Sequence, residues 1–221
     1  MQLPELRQAV YEANMALPKT GLVKWTSGNA SGRDPETNLV AIKPSGVLFD
    51  KLTPELLVLV DLHGNVVEGD LKPSVDTASH LYVYRHMPNV HGIAHTHSQY
   101  ATAFAVQGQD LPVTTTTHAC LFGGPIPCSG LATIGEEDIG REIVATAGDM
   151  EAVLMRNHGV FALGRTVSAA LKNAVYVEES AESTFFASQL GGMPASLDAA
   201  TIAEGRRMYL EDYGQVGATD K

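Results

Sequence analysis

Three histidines carry the clearest hint of chemistry in this 221-residue sequence. His95 and His97 stand two apart at the end of Gly92-Ile93-Ala94-His95-Thr96-His97, a short apolar run that reads as a strand. Residues i and i+2 of a strand point to one face, so the two imidazoles can share a metal ion. Neutral imidazole nitrogen suits zinc and its neighbours. His158 lies in Asn157-His158-Gly159, between two apolar runs, where a third ligand can be delivered from far along the chain. A His-x-His pair alone is more often two surface or core histidines than a metal site, and the third histidine in a comparable strand-end turn is what raises the metal reading. Of the others, His63 falls in a turn, and His80, His86 and His91 read as structural or solvated. His118 is taken up below.

Three polar turns have the composition of anion binders: Ser27-Gly28-Asn29, Lys43-Pro44-Ser45-Gly46 and Lys72-Pro73-Ser74. Glycine lets backbone N–H groups approach an anion closely, while serine, asparagine and lysine add donors and charge. Singly, each reads as an ordinary loop. No Walker-type or dinucleotide glycine fingerprint is present.

The elements that must position these groups follow from periodicity. Leu6, Val10, Ala13 and Leu17 fall at helical spacing, and Pro18 to Gly21 ends that helix. The segment from Thr26 to Gly32 is polar and glycine-rich. Leu39 to Ile42 predicts a short strand, and Leu56 to Leu62 a stronger one, returning through the turn His63-Gly64-Asn65 into Val66-Val67-Glu68. Asp76 to His86 predicts a helix with Asp76 near its start, as an N-cap. Ser98 is placed to cap a helix running through Val106. Val113 to Thr117 is rich in β-branched residues and predicts a strand. Ile134 to Ala147, Val167 to Leu190 and Ala200 to Glu211 predict helices, and Ala152 to Met155 and Val160 to Leu163 strands. The expected fold is α/β: a single domain over residues 1–216, with a mixed or mostly antiparallel central sheet flanked by helices, and a flexible tail at 217–221.

Charge and composition narrow the function classes. Fifteen basic against 25 acidic residues leave a net charge of −10, which offers nothing to a nucleic-acid backbone. A small anionic substrate is still compatible, because a local site can be positive on an acidic protein. Cys120 and Cys128 suggest reduced thiols rather than a disulfide framework. No apolar run approaches the roughly 18 residues of a membrane span, and no secretory signal pattern opens the chain. The expectation is a cytoplasmic protein without membrane or nucleic-acid partners.

Taken as an ordered set, Ser27-Gly28-Asn29-Ala30-Ser31, Ile42-Lys43-Pro44-Ser45-Gly46, Val67-Glu68-Gly69, Lys72-Pro73-Ser74-Val75-Asp76-Thr77, His95-Thr96-His97-Ser98, Pro125-Ile126-Pro127-Cys128, Asn157-His158-Gly159-Val160-Phe161 and Tyr213-Gly214-Gln215 resemble the class II aldolase and adducin head family. Within it the similarity is closest to the L-ribulose-5-phosphate 4-epimerases. The resemblance implies that His95, His97 and His158 bind Zn2+, or another divalent ion such as Mn2+ or Co2+. It implies that Gly28, Asn29, Lys43, Ser45, Gly46 and Ser74 hold a sugar phosphate. It also implies a homotetramer with active sites at subunit interfaces. Aldolases of the family usually carry Glu at position 76 and epimerases Asp, so Asp76 favours the epimerase branch as its acid/base.

The chemistry so implied is a retro-aldol cleavage of C3–C4. A hydroxyl-bearing C4 has no acidic hydrogen, so inversion there needs the bond broken and remade on the other face of the aldehyde, with two groups exchanging the hydroxyl proton. In the family those groups are a C-terminal tyrosine, matched here by Tyr213 and serving a neighbouring subunit, and an aspartate. This sequence has Cys120 at the aspartate position, in Thr117-His118-Ala119-Cys120. Three arrangements are open: Cys120 as the acid/base, His118 in its place, or no group at all and an aldolase; the reading adopted is His118. Val75 replaces a second phosphate-binding serine. The alternatives are a fuculose-phosphate-like aldolase and, outside catalysis, an adducin-head-like assembly module.

Overall fold

Each strand is short, and the sheet is held by the way its two faces are covered. The computed structural model describes residues 1–214. The strands are β1 (Asn29–Arg33), β2 (Val40–Ile42), β3 (Val58–Val60), β4 (Val66–Glu68), β5 (Gly92–Thr96), β6 (Ala152–Met155) and β7 (Gly159–Gly164). They form one seven-stranded sheet in the order β4-β3-β2-β1-β5-β7-β6, antiparallel at every pairing. The helices are α1 (Pro4–Lys19), α2 (Thr77–His86), α3 (Gln99–Gln107), α4 (Thr116–Phe122), α5 (Asp138–Ala147), α6 (Val167–Gly191) and α7 (Ala199–Glu211). No described helix is long and apolar enough to cross a membrane.

Strand alternation sorts the core into two layers. On one face Ala30, Ala41, Leu59, Ala94, Leu154, Val160 and Ala162 pack under α1, α3 and α6. On the other, Val40, Ile93, Val153, Phe161 and Leu163 pack under α2 and α5 with Leu81, Tyr84, Ile139 and Ile143. The register sets Asn29 opposite His95 and His95 opposite Phe161, so these three stand in one row across the sheet on the α2 face.

The sequence reading places most elements correctly and misses informative ones. The segment read as a polar turn contains β1, a strand buried at all five positions with Asn29, Ser31 and Arg33 facing α2. These polar side chains bond to α2 and to the segments flanking it, so the strand lacks the apolar alternation that marks a half-buried strand. Val113 to Thr117 does not form a strand. Thr115 Oγ1 instead accepts the His118 N–H at 3.2 Å and starts α4, so the capping preference of threonine prevails over its β preference. Leu56 belongs to a 3-10 turn and the strand is only Val58–Val60. The helix expected from Ile134 begins at Asp138.

Ser98 occupies the N-cap position of α3 without capping it. The carboxylate of Glu178, from α6, accepts the N–H groups of Tyr100 and Ala101, both at 2.9 Å. Asp76 likewise sits at the N-cap of α2 without capping, because its carboxylate is bonded to Asn29. The tail read as flexible lies outside the described residues.

Candidate metal and anion site

β5 delivers His95 and His97 to one end of the sheet, and the turn between β6 and β7 delivers His158. That turn is shaped by Asn157, whose φ of 59° is in the left-handed region that asparagine tolerates. Its own N–H donates to Ala105 O at 3.1 Å, and the His158 N–H to Met155 O at 2.9 Å. Gly159 makes the approach possible. A Cβ there would collide with the Thr96 carbonyl and lie 2.9 Å from His97 Cδ2.

The three rings form a nearly equilateral group. Centroid separations are 4.8 Å for His95–His97, 4.9 Å for His95–His158 and 5.1 Å for His97–His158, with planes 62–75° apart. One ring nitrogen from each lies within 4.8 Å of the others. His95 Nδ1 donates to Val160 O at 3.0 Å, which fixes the tautomer and leaves Nε2 bare toward His97 Nε2, 3.1 Å away. Two ligands at zinc–nitrogen distance in a tetrahedral shell would sit about 3.3 Å apart, so His95 and His97 already stand at such a spacing and His158 lies close enough to be the third donor, which would leave a fourth position for water or substrate.

Electrostatics agree with that fit. Burial pushes the His95 pKa down to about 3, and the neighbouring Asp76 only partly opposes this. Burial also lowers His97 and His158. All three are therefore neutral, ligand-competent imidazoles at neutral pH. Phe161 stacks on His95 at 4.2 Å and holds its ring from beneath.

The histidines open into a cavity of about 350 Å³ that is also lined by residues 27–29, residues 43–46 and Ser74 from the three polar turns. The Lys43–Gly46 and Lys72–Ser74 turns are zipped together by backbone bonds, Ser45 N to Lys72 O at 2.9 Å and Ser74 N to Lys43 O at 3.1 Å. Lys43 is buried, with its ammonium 4.8 Å from the centre of the Phe49 ring, and burial lowers its pKa against the opposing pull of Asp76. Gly28, at φ 74°, runs so close to β5 that a Cβ would lie 2.7 Å from the His95 carbonyl. Gly28, Asn29, Lys43, Ser45, Gly46 and Ser74 therefore line the same cavity as His95, His97 and His158.

Asp76 lies between the two halves and is 7% exposed. Asn29 Nδ2 donates to its Oδ2 at 2.7 Å and to Ser74 Oγ at 3.2 Å, and Ser74 Oγ donates to the same Oδ2 at 3.3 Å. Burial raises the carboxyl pKa, but the neighbouring imidazoles of His95 and His80 and the hydrogen bond from Asn29 outweigh it, and the group is held below its ordinary value. A fixed, ionised carboxylate beside a metal position and an anion cradle can exchange a proton with a small phosphorylated molecule.

The remaining sequence candidates do not join this cavity within one chain. Cys120 and Tyr213 line a separate cleft of about 710 Å³ between α4, α6 and α7, with Tyr209 stacked on Tyr213 at 5.2 Å. His118, favoured from the sequence as the acid/base, is fully buried. Its Nε2 donates to Gly124 O at 3.0 Å, its ring packs on Phe122, and burial lowers its pKa to about 4. Enclosed in this way, its ring reaches neither cleft. Ile134 was read only as part of a helix, and it proves to be an apolar wall of the histidine cavity, 60% exposed, on a loop that carries no periodic signal.

Comparison with known proteins agrees with this geometry. The model of the class II aldolase and adducin N-terminal domain matches residues 8–185. An L-fuculose 1-phosphate aldolase superposes with a TM-score of 0.88 at 29% identity, over 93% of this chain and 96% of that one. YgbL from Escherichia coli, described as a putative aldolase/epimerase/decarboxylase, gives 0.80 at 29%, over 92% and 98%. The L-fuculose-1-phosphate aldolase of Thermus thermophilus gives 0.72 at 28%, over 87% and 99%. A match across most of the sequence, together with the fold and a site built from the matching segments, places the chain in the class II aldolase and adducin family.

Proposed function

We propose that the chain is a divalent-metal-dependent lyase that splits a carbon–carbon bond of a small ketose phosphate by a retro-aldol step and releases both fragments. The observation that carries this reading is the convergence in one cavity of the three imidazoles, the held carboxylate of Asp76 and the anion cradle around Lys43. Zinc, or manganese or cobalt in its place, would be held by His95, His97 and His158 and would supply Lewis acidity toward the substrate's carbonyl and neighbouring hydroxyl.

The chain's own residues do the rest. Lys43, Ser45, the Gly46 and Gly28 backbones, Asn29 and Ser74 bind and orient the phosphate. Sharing one cavity with the histidines, they suit a molecule with its phosphate at one end and its polar carbons at the other. Asp76 Oδ2 is occupied by Asn29 and Ser74, so Oδ1 is the atom that holds or takes a proton. Cleavage of C3–C4 in a ketose 1-phosphate yields dihydroxyacetone phosphate and an aldehyde.

An epimerase acting on L-ribulose 5-phosphate is the second reading, and aspartate rather than glutamate at position 76 favours it. Its product would be D-xylulose 5-phosphate. Against it stands the thiol of Cys120 where a carboxylate is expected, with His118 enclosed and unable to substitute. In either reading Tyr213 would serve another copy of the chain, since it lies with Cys120 away from the histidines, and a homotetramer is the assembly the family resemblance implies.

The test is to incubate the zinc-loaded protein with L-fuculose 1-phosphate and, separately, L-ribulose 5-phosphate, following carbon products by NMR. Lactaldehyde and dihydroxyacetone phosphate from the first support the lyase. D-xylulose 5-phosphate from the second, without free dihydroxyacetone and glycolaldehyde phosphate, replaces it by the epimerase.

A further inference from the structure

His80 is a fully buried histidine that the reading above does not use. It lies on α2, one turn after Asp76, and its backbone N–H donates to Asp76 O at 3.1 Å. Side chains at i and i+4 share a helix face and lean toward the N-terminus, so the His80 ring leans toward the Asp76 side.

Its partners form a regular series. On β1, Asn29 holds the Asp76 carboxylate. Two residues on, Ser31 Oγ lies 2.7 Å from His80 Nδ1 and 2.7 Å from Tyr84 OH. Two further on, Arg33 Nη1 donates to Tyr84 O at 2.7 Å. Steps of two on the strand thus meet steps of four on the helix, about 6.6 Å against about 6.0 Å, and the two scales match.

Counting hydrogens in this series selects a tautomer. If Tyr84 donates to Ser31 and Ser31 donates to His80 Nδ1, the hydroxyl hydrogens are used and His80 carries its proton on Nε2. In the reverse order the Tyr84 hydrogen has no acceptor among the described bonds and Nε2 is a bare acceptor. Nε2 is buried, and no described residue partners it. The first order therefore leaves one unsatisfied group and the second leaves two. His80 also packs edge-on against Phe161, at 5.5 Å, the ring that supports His95.

We propose that His80 is a positioning residue for Asp76: Ser31 and Tyr84 fix it as the Nε2–H tautomer, and its ring, leaning from one helix turn away toward the Asp76 side, favours the ionised, correctly placed carboxylate. The inference rests on the lyase reading for its kinetic consequence but not for its structural one. The mutual influence of Asp76 and His80 on each other's titration agrees with their closeness.

Two measurements on the full-length, zinc-loaded protein separate these parts. Long-range 1H–15N correlation should show His80 protonated at Nε2, with its Nε2 resonance moved in Asp76→Asn. A dominant Nδ1–H form, or a resonance indifferent to Asp76→Asn, overturns the proposal whether or not any sugar phosphate is cleaved. On the substrate identified above, His80→Asn should lower kcat by about 10- to 100-fold with KM and zinc content retained, since such supporting contacts have effects of that size. In the Asp76→Asn background the same change should cost nothing further, and His80→Gln, which keeps a donor at the distal position, should recover part of the loss. Independent, additive losses, or a loss of zinc, mark His80 as a packing residue only.

Discussion

The two clefts that the sequence candidates occupy are built in opposite ways. The histidine cavity is borne on strands and their connecting turns, and its polar groups are buried and held by named partners: Val160 on His95, Asn29 and Ser74 on Asp76, and the paired 43–46 and 72–74 turns on each other. The Cys120–Tyr213 cleft lies between helices, and Tyr213 is 65% exposed. A sheet row fixes side chains to within the register of its hydrogen bonds, so chemistry needing several groups on one atom is assembled there within a single chain. Helix faces near a chain end supply surface, and what they contribute waits on what packs against them.

The largest effect that would break this contrast lies at the metal position. His158→Ala should abolish stoichiometric zinc binding, measured by atomic emission, and lower turnover by about 10^3-fold or more, the equivalent of several kcal/mol of transition-state stabilisation. Normal turnover in a zinc-free variant would mean that the triad is structural. Next, Asp76→Asn should retain zinc and lose about 10^2- to 10^4-fold in kcat, the range of a positioned acid/base.

A third effect compares the two regions through acid. His80 and His95 in the first region, and His118 enclosed behind the second on α4, have pKa values lowered to about 4, 3 and 4 from the ordinary 6.5. The unfolded chain therefore takes up protons first as pH falls. This contribution to stability is complete above about pH 6.5 and is lost progressively down to about pH 3, the last part of it with His95. Thermal melts of the zinc-free protein should show Tm dropping across that window. His118→Asn should flatten part of the slope, cost about 1 kcal/mol at neutral pH through the lost bond to Gly124, and leave turnover unchanged. A large loss of turnover in that variant would return His118 to the chemistry. The smallest effect belongs to Cys120→Ser, which under the lyase reading should change kcat by no more than about twofold, as surface substitutions do. A larger fall would favour the epimerase.

What was legible in the sequence follows from the same contrast. His95 and His97 could be read because strand alternation is a local rule, and His158 because it interrupts two apolar runs. The polar turns had the composition of anion binders, yet singly each read as an ordinary loop, and their joining through Pro44 and Pro73 is a long-range pairing that local sequence does not carry. β1 escaped because its inward side chains are polar and bond to α2 and its flanking segments. His118 was favoured because a near-neutral ionisable group next to a family position looks reactive, and its burial and its bond to Gly124 O were not legible in the sequence. The i, i+4 spacing of Asp76 and His80 was present in the sequence, and only the Ser31 and Tyr84 contacts give it meaning.

The cap that Glu178 lends to α3 has a consequence for motion. The amides of Tyr100 and Ala101 begin the helix that follows His97 directly, and their acceptor lies nearly eighty residues away on α6. Their exchange with solvent deuterium is therefore governed by the separation of α6 from α3 rather than by fraying of α3 itself. These two amides are built-in reporters of how often the long helix lifts from the end of the sheet that carries the histidines.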